Sequence, residues 1–164
     1  MNGKMSNAGW TEVKNFESLK NLDHQPMGPR HMPIPHLTAI EFFKERLQEH
    51  GIDINSIEFV LVTHDHIDHI KGVGILSEKY SLPVYATSLL HKSLDNHPCT
   101  RCRLSGSVRK CEPHTPTRYK DVEFTPFVVP HDATETVGYH INFNGIKFTF
   151  LTDLGEVTQD VIDY

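Results

Sequence analysis

The chain has 164 residues, 38% of them hydrophobic and 23% charged, which is the size and composition of one globular domain with a core. Its formal net charge of −5 at pH 7 gives no general affinity for nucleic acid. No apolar run approaches the ~20 residues that span a membrane, and no cationic start followed by an apolar core indicates a signal peptide. We therefore expect a soluble, cytoplasmic protein without a membrane partner.

Residues 1–37 are predicted to be a poorly defined N-terminal segment. Gly28-Pro29, Pro33 and Pro35 interrupt any regular element there. The best candidate for order is the stretch 10–22, where apolar residues recur at helical spacing. The predicted domain then occupies residues 38–164.

Helices and short strands alternate over the first half of this domain. Thr38 followed by Glu41 is a capping-box pattern, and Gly51 suits a C-terminal cap, so a helix is predicted over 38–50. The apolar run before residue 64 predicts a strand over 57–63. A helix over 70–80, a strand over 83–86 and a helix over 88–96 follow.

The second half of the domain is predicted to consist mainly of strands. A strand over 122–129 contains Pro126, which indicates an edge position or a bulge. Strands over 137–143 and 146–152 flank Asn144-Gly145, a strong type I′ hairpin signal. The overall class is α/β (α+β), and three polar residues, His64, His131 and Asp153, each follow a strand. We expect them to meet at one sheet edge.

The hexapeptide at residues 64–69 reads His-Asp-His-Ile-Asp-His and is the most informative feature of the chain. His64 and His66 lie two residues apart, so in an extended segment both imidazoles face the same side. Asp68 and His69 begin the next turn and can reach a second ion. Neutral imidazole is a favoured ligand of zinc and its neighbours in the first transition row, so the pattern predicts a metal site.

The segment 97–119 is predicted to be an insertion that carries all three cysteines. Two pairs of candidate ligands, each pair with two residues in between, predict a structural zinc site formed by Cys99, Cys102, Cys111 and His114. The alternative is an exposed loop with reduced thiols. An odd number of cysteines argues against a disulfide framework. The segment is also basic, so it is the first candidate for contact with phosphate groups if the substrate is a nucleic acid.

The hexapeptide after an apolar strand resembles the signature of the metallo-β-lactamase superfamily. Its context over 62–73, with the later segments 129–133 and 150–155, is similar to the YycJ-type (WalJ-type) branch. The resemblance covers roughly residues 38–164 and implies an αββα four-layer sandwich. Members normally carry an Asp-x-Gly segment upstream and a late His downstream of these motifs. Neither is found here, so we expect an incomplete sandwich with an uncovered apolar sheet face.

The resemblance also implies how the ligands divide between two divalent ions, with zinc favoured and manganese or iron as alternatives. His64, His66 and His131 would hold one ion, Asp68 and His69 the other, and Asp153 would bridge them. Asp68 and Asp132 are the candidate catalytic residues, and Asp132 could instead orient His131.

The implied activity is hydrolysis by a metal-bridging hydroxide, with a phosphodiesterase or DNA exonuclease favoured and DNA as the substrate. Hydrolysis of thioesters, lactones or β-lactams is open, because the metal motif does not separate these substrates. Two other classes also stay open. One is a metal-binding but inactive fragment, and the other is an interaction module built on residues 97–119. The sequence leaves the oligomeric state open.

Overall fold

The computed structural model describes residues 39–104 and 106–162. The predictions for residues 1–37 and the capping role of Thr38 lie outside these ranges. The described elements, in chain order, are α1 (Ala39–Glu49), a 3₁₀ turn (Ile54–Ser56), β1 (Val60–Leu61), α2 (Ile67–Ile70), α3 (Val73–Tyr80), β2 (Val84–Ala86), α4 (Ser88–Asn96), β3 (Val108–Lys110), β4 (Thr117–Tyr119), β5 (Val122–Val128), β6 (Val137–Phe143), β7 (Ile146–Phe150) and α5 (Gln159–Ile162).

The first sheet is parallel and has three strands in the order β1-β2-β3. Parallel neighbours need a crossover connection, and helices supply it here: α2 and α3 lie between β1 and β2, and α4 lies between β2 and β3. All three residues of β2 are buried, as expected for the central strand of a covered parallel sheet.

The second sheet is antiparallel, and its four strands follow sequence order, β4-β5-β6-β7. Asn144 and Gly145 connect β6 to β7 with φ angles of 51° and 84°, the left-handed conformations that a type I′ turn requires. The predicted hairpin is therefore present. Pro126 pairs with Tyr139 of β6, but β4 reaches only to Phe124, so the proline lies where β5 has no strand on its other side. This is an edge position, one of the two alternatives predicted for Pro126.

Several boundaries differ from the predicted ones. The strand predicted over 57–63 is only Val60–Leu61, and the helix predicted over 70–80 is divided into α2 and α3 with Gly72 between them. The segment 97–119 contributes β3 to the first sheet and β4 to the second. These strands have three residues each and include exposed basic side chains, so they lack the apolar alternation that identifies a strand from sequence.

The core lies between the two sheets and joins residues of both. Val84 and Leu90 from the first layer pack with Phe124, Val137 and Tyr139 from β5 and β6, and all five are fully buried. The Tyr139 hydroxyl donates a hydrogen bond of 2.7 Å to the carbonyl oxygen of Val62. The second sheet is thereby tied to the backbone that directly precedes residues 64–69.

Strand β7 is exposed along its whole length. Ile146, Phe148 and Phe150 share one side of the strand and are 67%, 50% and 49% exposed. Apolar side chains are thus uncovered along this edge strand, whereas Tyr139, which pairs with Phe150, is buried. Among the described helices, none is both long and apolar enough to cross a membrane.

Replacing Tyr139 with Phe tests the tie between the second sheet and the Val62 carbonyl. The variant should lower the free energy of unfolding by about 1–3 kcal/mol, because it leaves a buried carbonyl oxygen without its donor. Tyr80→Phe is the matched control, since the Tyr80 hydroxyl is buried and has no hydrogen-bond partner among the described residues. Urea unfolding measures the free energy of unfolding of both variants. An equal loss of stability in the two would contradict the assigned role of the Tyr139 hydroxyl.

Candidate metal centre

Three separate segments bring their polar side chains together at the carboxyl ends of strands. His64 and His66 follow β1, His131 follows β5, and Asp153 follows β7. One ligand atom from each of these four residues lies within 4.8 Å of the other three. The structure therefore brings together four of the six predicted metal ligands in one cluster.

The centre of the cluster is one oxygen of the Asp153 carboxylate. Its Oδ2 lies 3.5 Å from His64 Nε2, 3.5 Å from His131 Nε2 and 3.3 Å from His69 Nε2. His131 Nε2 lies 3.3 Å from His66 Nδ1. Four imidazoles and one carboxylate oxygen thus share a very small volume.

The rings of His64, His66 and His131 each turn one nitrogen toward this centre. The other nitrogen of each ring lies near a hydrogen-bonding group outside the centre. His64 Nδ1 lies 3.1 Å from Thr63 Oγ1, and His66 Nε2 lies 3.2 Å from the Asp132 carbonyl oxygen. His131 Nδ1 lies 3.3 Å from Asp132 Oδ1. Such outward partners set the orientation and tautomer of a metal-ligating imidazole.

His64 provides the test of whether these residues fit a metal. Its side chain is fully buried, and its Nε2 has no hydrogen-bond partner among the described residues. Burial lowers the pKa of His64, and the nearby rings of His69 and His66 lower it further. A neutral ring that donates from Nδ1 to Thr63 directs the Nε2 lone pair at the centre, which suits a divalent cation. The donor set therefore fits a metal.

Asp68 and His69 lie beside the cluster, at the start of α2. His69 Nε2 is 3.6 Å from Asp68 Oδ2 and 3.3 Å from Asp153 Oδ2. Asp153 thus contacts both predicted groups of ligands, as a shared carboxylate must. The Asp68 carboxylate is largely exposed. Its predicted roles, as a ligand of the second ion and as a catalytic group, stay predictions.

Asp132 touches two of the rings through different atoms. Its carbonyl oxygen contacts His66 Nε2, and its carboxylate contacts His131 Nδ1. The Asp132 side chain is 88% exposed. These contacts favour the orienting role that the sequence offered as the alternative to catalysis.

The four residues predicted to form a structural zinc site are not brought together. Among the described residues, Cys99, Cys102, Cys111 and His114 form no group with ligand atoms close enough to hold a metal. Cys111 is buried in the core, where burial raises the pKa of its thiol to about 12, whereas Cys102 is exposed. In this structure the paired spacing in sequence does not place the four ligand atoms together, and the structural zinc site stays a prediction.

The basic side chains of the same segment make mainly local contacts. The Arg109 guanidinium donates to the carbonyl oxygens of Gly106 and Val108, and Arg103 lies 3.8 Å from Glu78. The role of this segment in contacting phosphate groups stays a prediction.

Asp65 is a residue of the site for which the sequence indicated no role. Its carboxylate accepts hydrogen bonds from the hydroxyls of Ser93 and Thr134 and from the Thr134 backbone N–H. Burial by itself would raise the pKa of Asp65, but these hydrogen bonds outweigh it and the pKa is lowered. In the sequence, Asp65 is marked by its position between two histidines. That position does not reveal its partners Ser93 and Thr134, which lie 28 and 69 residues away.

Comparison with known families identifies the class of protein. Residues 33–164 match the model of the β-lactamase superfamily domain, so the chain belongs to that family. Among curated proteins it is 37% identical over 112 residues to exodeoxyribonuclease YycJ of Bacillus anthracis, a match covering 66% of this chain. The chain spans about 40% of the length of that relative. The predicted family and branch resemblance are confirmed.

Solved structures show the same fold at low identity. A metallo-β-lactamase mutant from Cronobacter sakazakii aligns with a TM-score of 0.55 at 11% identity, covering 66% of this chain and 46% of that one. Zn²⁺-bound PqqB from Methylobacterium extorquens aligns with a TM-score of 0.55 at 23% identity, covering 64% and 41%. The chain therefore has the metallo-β-lactamase type of α/β fold, as predicted.

Removing the Asp132 carboxylate tests its orienting role. Asp132→Ala should weaken Zn²⁺ binding about 10- to 100-fold, because His131 Nδ1 loses its partner. Asp132→Asn should be milder, since its Oδ1 can still accept from that nitrogen. Competition with a chelating dye measures the affinity, and Asp121→Ala removes another exposed carboxylate as the control. Wild-type affinity in Asp132→Ala would contradict the assignment.

Proposed function

We propose that this chain carries the metal centre of a binuclear, metal-dependent hydrolase that cleaves phosphodiesters, with DNA as the favoured substrate. The observation that carries the proposal is the position of Asp153 Oδ2, which contacts His64, His131 and His69 at once. A single carboxylate beside three clustered imidazoles on the one hand and the His69–Asp68 pair on the other is an arrangement that suits two neighbouring cations.

We assign the residues to the two ions as the family resemblance implies. His64, His66 and His131 would hold one ion with Asp153, since their ligand atoms cluster. His69 and Asp68 would hold the other, since His69 Nε2 lies 3.3 Å from Asp153 Oδ2 and 3.6 Å from Asp68 Oδ2. Imidazole and carboxylate ligands suit zinc, and they also suit manganese and iron. We favour zinc, because a mainly imidazole donor set is common for it.

When bound, divalent ions would polarise a phosphoryl oxygen and lower the pKa of the attacking water toward neutrality. The side chains hold the arrangement that this chemistry needs. Thr63 and Asp132 fix the rings of His64, His66 and His131, so little reorganisation is needed when charge develops on the substrate. Asp68 is the exposed acid beside the centre and our candidate for moving a proton at its Oδ2.

The substrate class is supported by the relative rather than by the centre itself. The relative from Bacillus anthracis is named an exodeoxyribonuclease and is 37% identical to this chain over 112 residues. Because this chain spans about 40% of that relative, cleavage by the chain alone is part of the proposal and needs a direct test.

The test compares wild type with a His64→Ala, His66→Ala double variant. We expect about two metal ions per wild-type chain and the loss of at least one in the variant, because two of the three rings at one position are removed. Elemental analysis measures metal content. Hydrolysis of bis(4-nitrophenyl) phosphate and of end-labelled single-stranded DNA measures activity, which should fall at least ~100-fold.

His50→Ala is the control, since it removes an exposed imidazole outside the cluster and should change neither readout. Undiminished phosphodiester cleavage in the double variant would rule out the proposed centre. Two bound metals without cleavage of either substrate would leave the metal centre standing and favour the alternative of a metal-binding, inactive chain.

A further inference from the structure

The Asp65 carboxylate is directed at two hydroxyls rather than at the metal cluster. It accepts hydrogen bonds from Ser93 Oγ on α4 and from Thr134 Oγ1, and its Oδ1 accepts a third bond of 3.3 Å from the Thr134 backbone N–H. Asp65 is not among the residues whose ligand atoms cluster at the centre. Its contacts are therefore those of a group that holds other segments in place.

The two segments that Asp65 joins both carry ligands. Asp65 lies between His64 and His66, and Thr134 lies three residues after His131. The Thr134 hydroxyl and backbone N–H both donate to the Asp65 carboxylate, so the Asp65 side chain directly connects one ligand segment to the other. The distance of 3.3 Å between His66 Nδ1 and His131 Nε2 depends on how closely these two segments approach.

Helix α4 gives this connection a fixed anchor. Ser93 lies on α4, and Leu90 and Leu94 of the same helix are fully buried in the core. The Thr87 side chain caps the helix by accepting from Leu90 N, and its hydroxyl donates to Glu135, the residue after Thr134. The segment that carries His131 is thus tied to α4 at Glu135 and to Asp65 at Thr134.

We infer that Asp65 is a positioning residue for the metal centre, which sets the spacing of His64 and His66 against His131 through its bonds to Thr134 and Ser93. This inference rests on the metal centre proposed above, and it adds a residue that contacts neither ion. Asp65 and the Thr134 hydroxyl should then act as one unit in metal binding. The loss of either should weaken it, and the loss of Asp65, which accepts all three bonds, should weaken it more.

The test measures Zn²⁺ affinity by chelator competition, and the visible absorption spectrum of the Co²⁺-loaded protein, for Asp65→Ala and Thr134→Val. Each should weaken Zn²⁺ binding about tenfold or more and alter the Co²⁺ spectrum, because the ligand segments are no longer held together. Thr134→Ser should retain wild-type values, since its hydroxyl can donate the same bond. The double variant should be no weaker than Asp65→Ala alone.

Asp95→Ala removes an exposed carboxylate from α4 and is the control. Urea unfolding of the metal-free proteins checks that each variant is folded, and Thr134→Val carries the test if Asp65→Ala is not. Three outcomes would each overturn the inference. The first is wild-type Zn²⁺ affinity and Co²⁺ spectrum in both single variants, and the second is additive losses of affinity in the double variant. The third is weakened Zn²⁺ binding in Thr134→Ser. Because the readouts are metal affinity and spectrum, absent phosphodiesterase activity would count against the proposed function alone, whereas a wild-type chain that binds no metal would overturn both.

Discussion

The structure depends on the meeting of one carboxylate oxygen with imidazoles from segments far apart in the chain. Asp153 Oδ2 reaches His64, His69 and His131, so the end of β7 and the ends of β1 and β5 must lie at one place. Bringing this many polar groups together costs desolvation, and no group in residues 39–104 and 106–162 offers a hydrogen bond to His64 Nε2. A cation offsets that cost directly, which is why the cluster indicates a metal and not merely a polar network.

The two sheets have different roles in building this centre. In the parallel sheet, β1 ends shortly before the hexapeptide at residues 64–69. In the antiparallel sheet, β5 and β7 end near the same place. Two hydrogen bonds to main-chain carbonyl oxygens hold the sheets together there. The Tyr139 hydroxyl donates to the Val62 carbonyl oxygen, and the Val137 N–H donates to the Thr63 carbonyl oxygen at 2.8 Å. Gly155 N in turn bonds the Pro130 carbonyl oxygen at 2.7 Å, which holds the Asp153 segment against the His131 segment. Hydrogen bonds to the backbone therefore hold the three ligand segments at one place.

The sequence predicted features that depend on local chemistry. The hairpin at Asn144-Gly145 follows from the φ angles that these two residues tolerate, and helix α4 has the predicted bounds of Ser88–Asn96. Strands β3 and β4 could not be predicted in this way, because their pairing is set by the strands beside them and their own side chains are partly charged. The same limit applies to Cys111. Its spacing from the other cysteines suggested a ligand, but only the packing around it reveals a buried thiol of the core.

Four aspartates near the centre have the same side chain and four different environments, and the differences arise from contacts distant in sequence. Asp153 faces the imidazoles, Asp68 is largely exposed beside His69, Asp132 holds two rings from outside, and Asp65 is bound by hydroxyl groups. The hexapeptide alone could separate Asp68 from Asp65 only by the direction that an extended segment gives them. What assigns Asp65 its position is Thr134, which is 69 residues away. A metal motif therefore specifies which atoms can bind an ion, whereas the residues that fix the spacing of those atoms are specified by the fold.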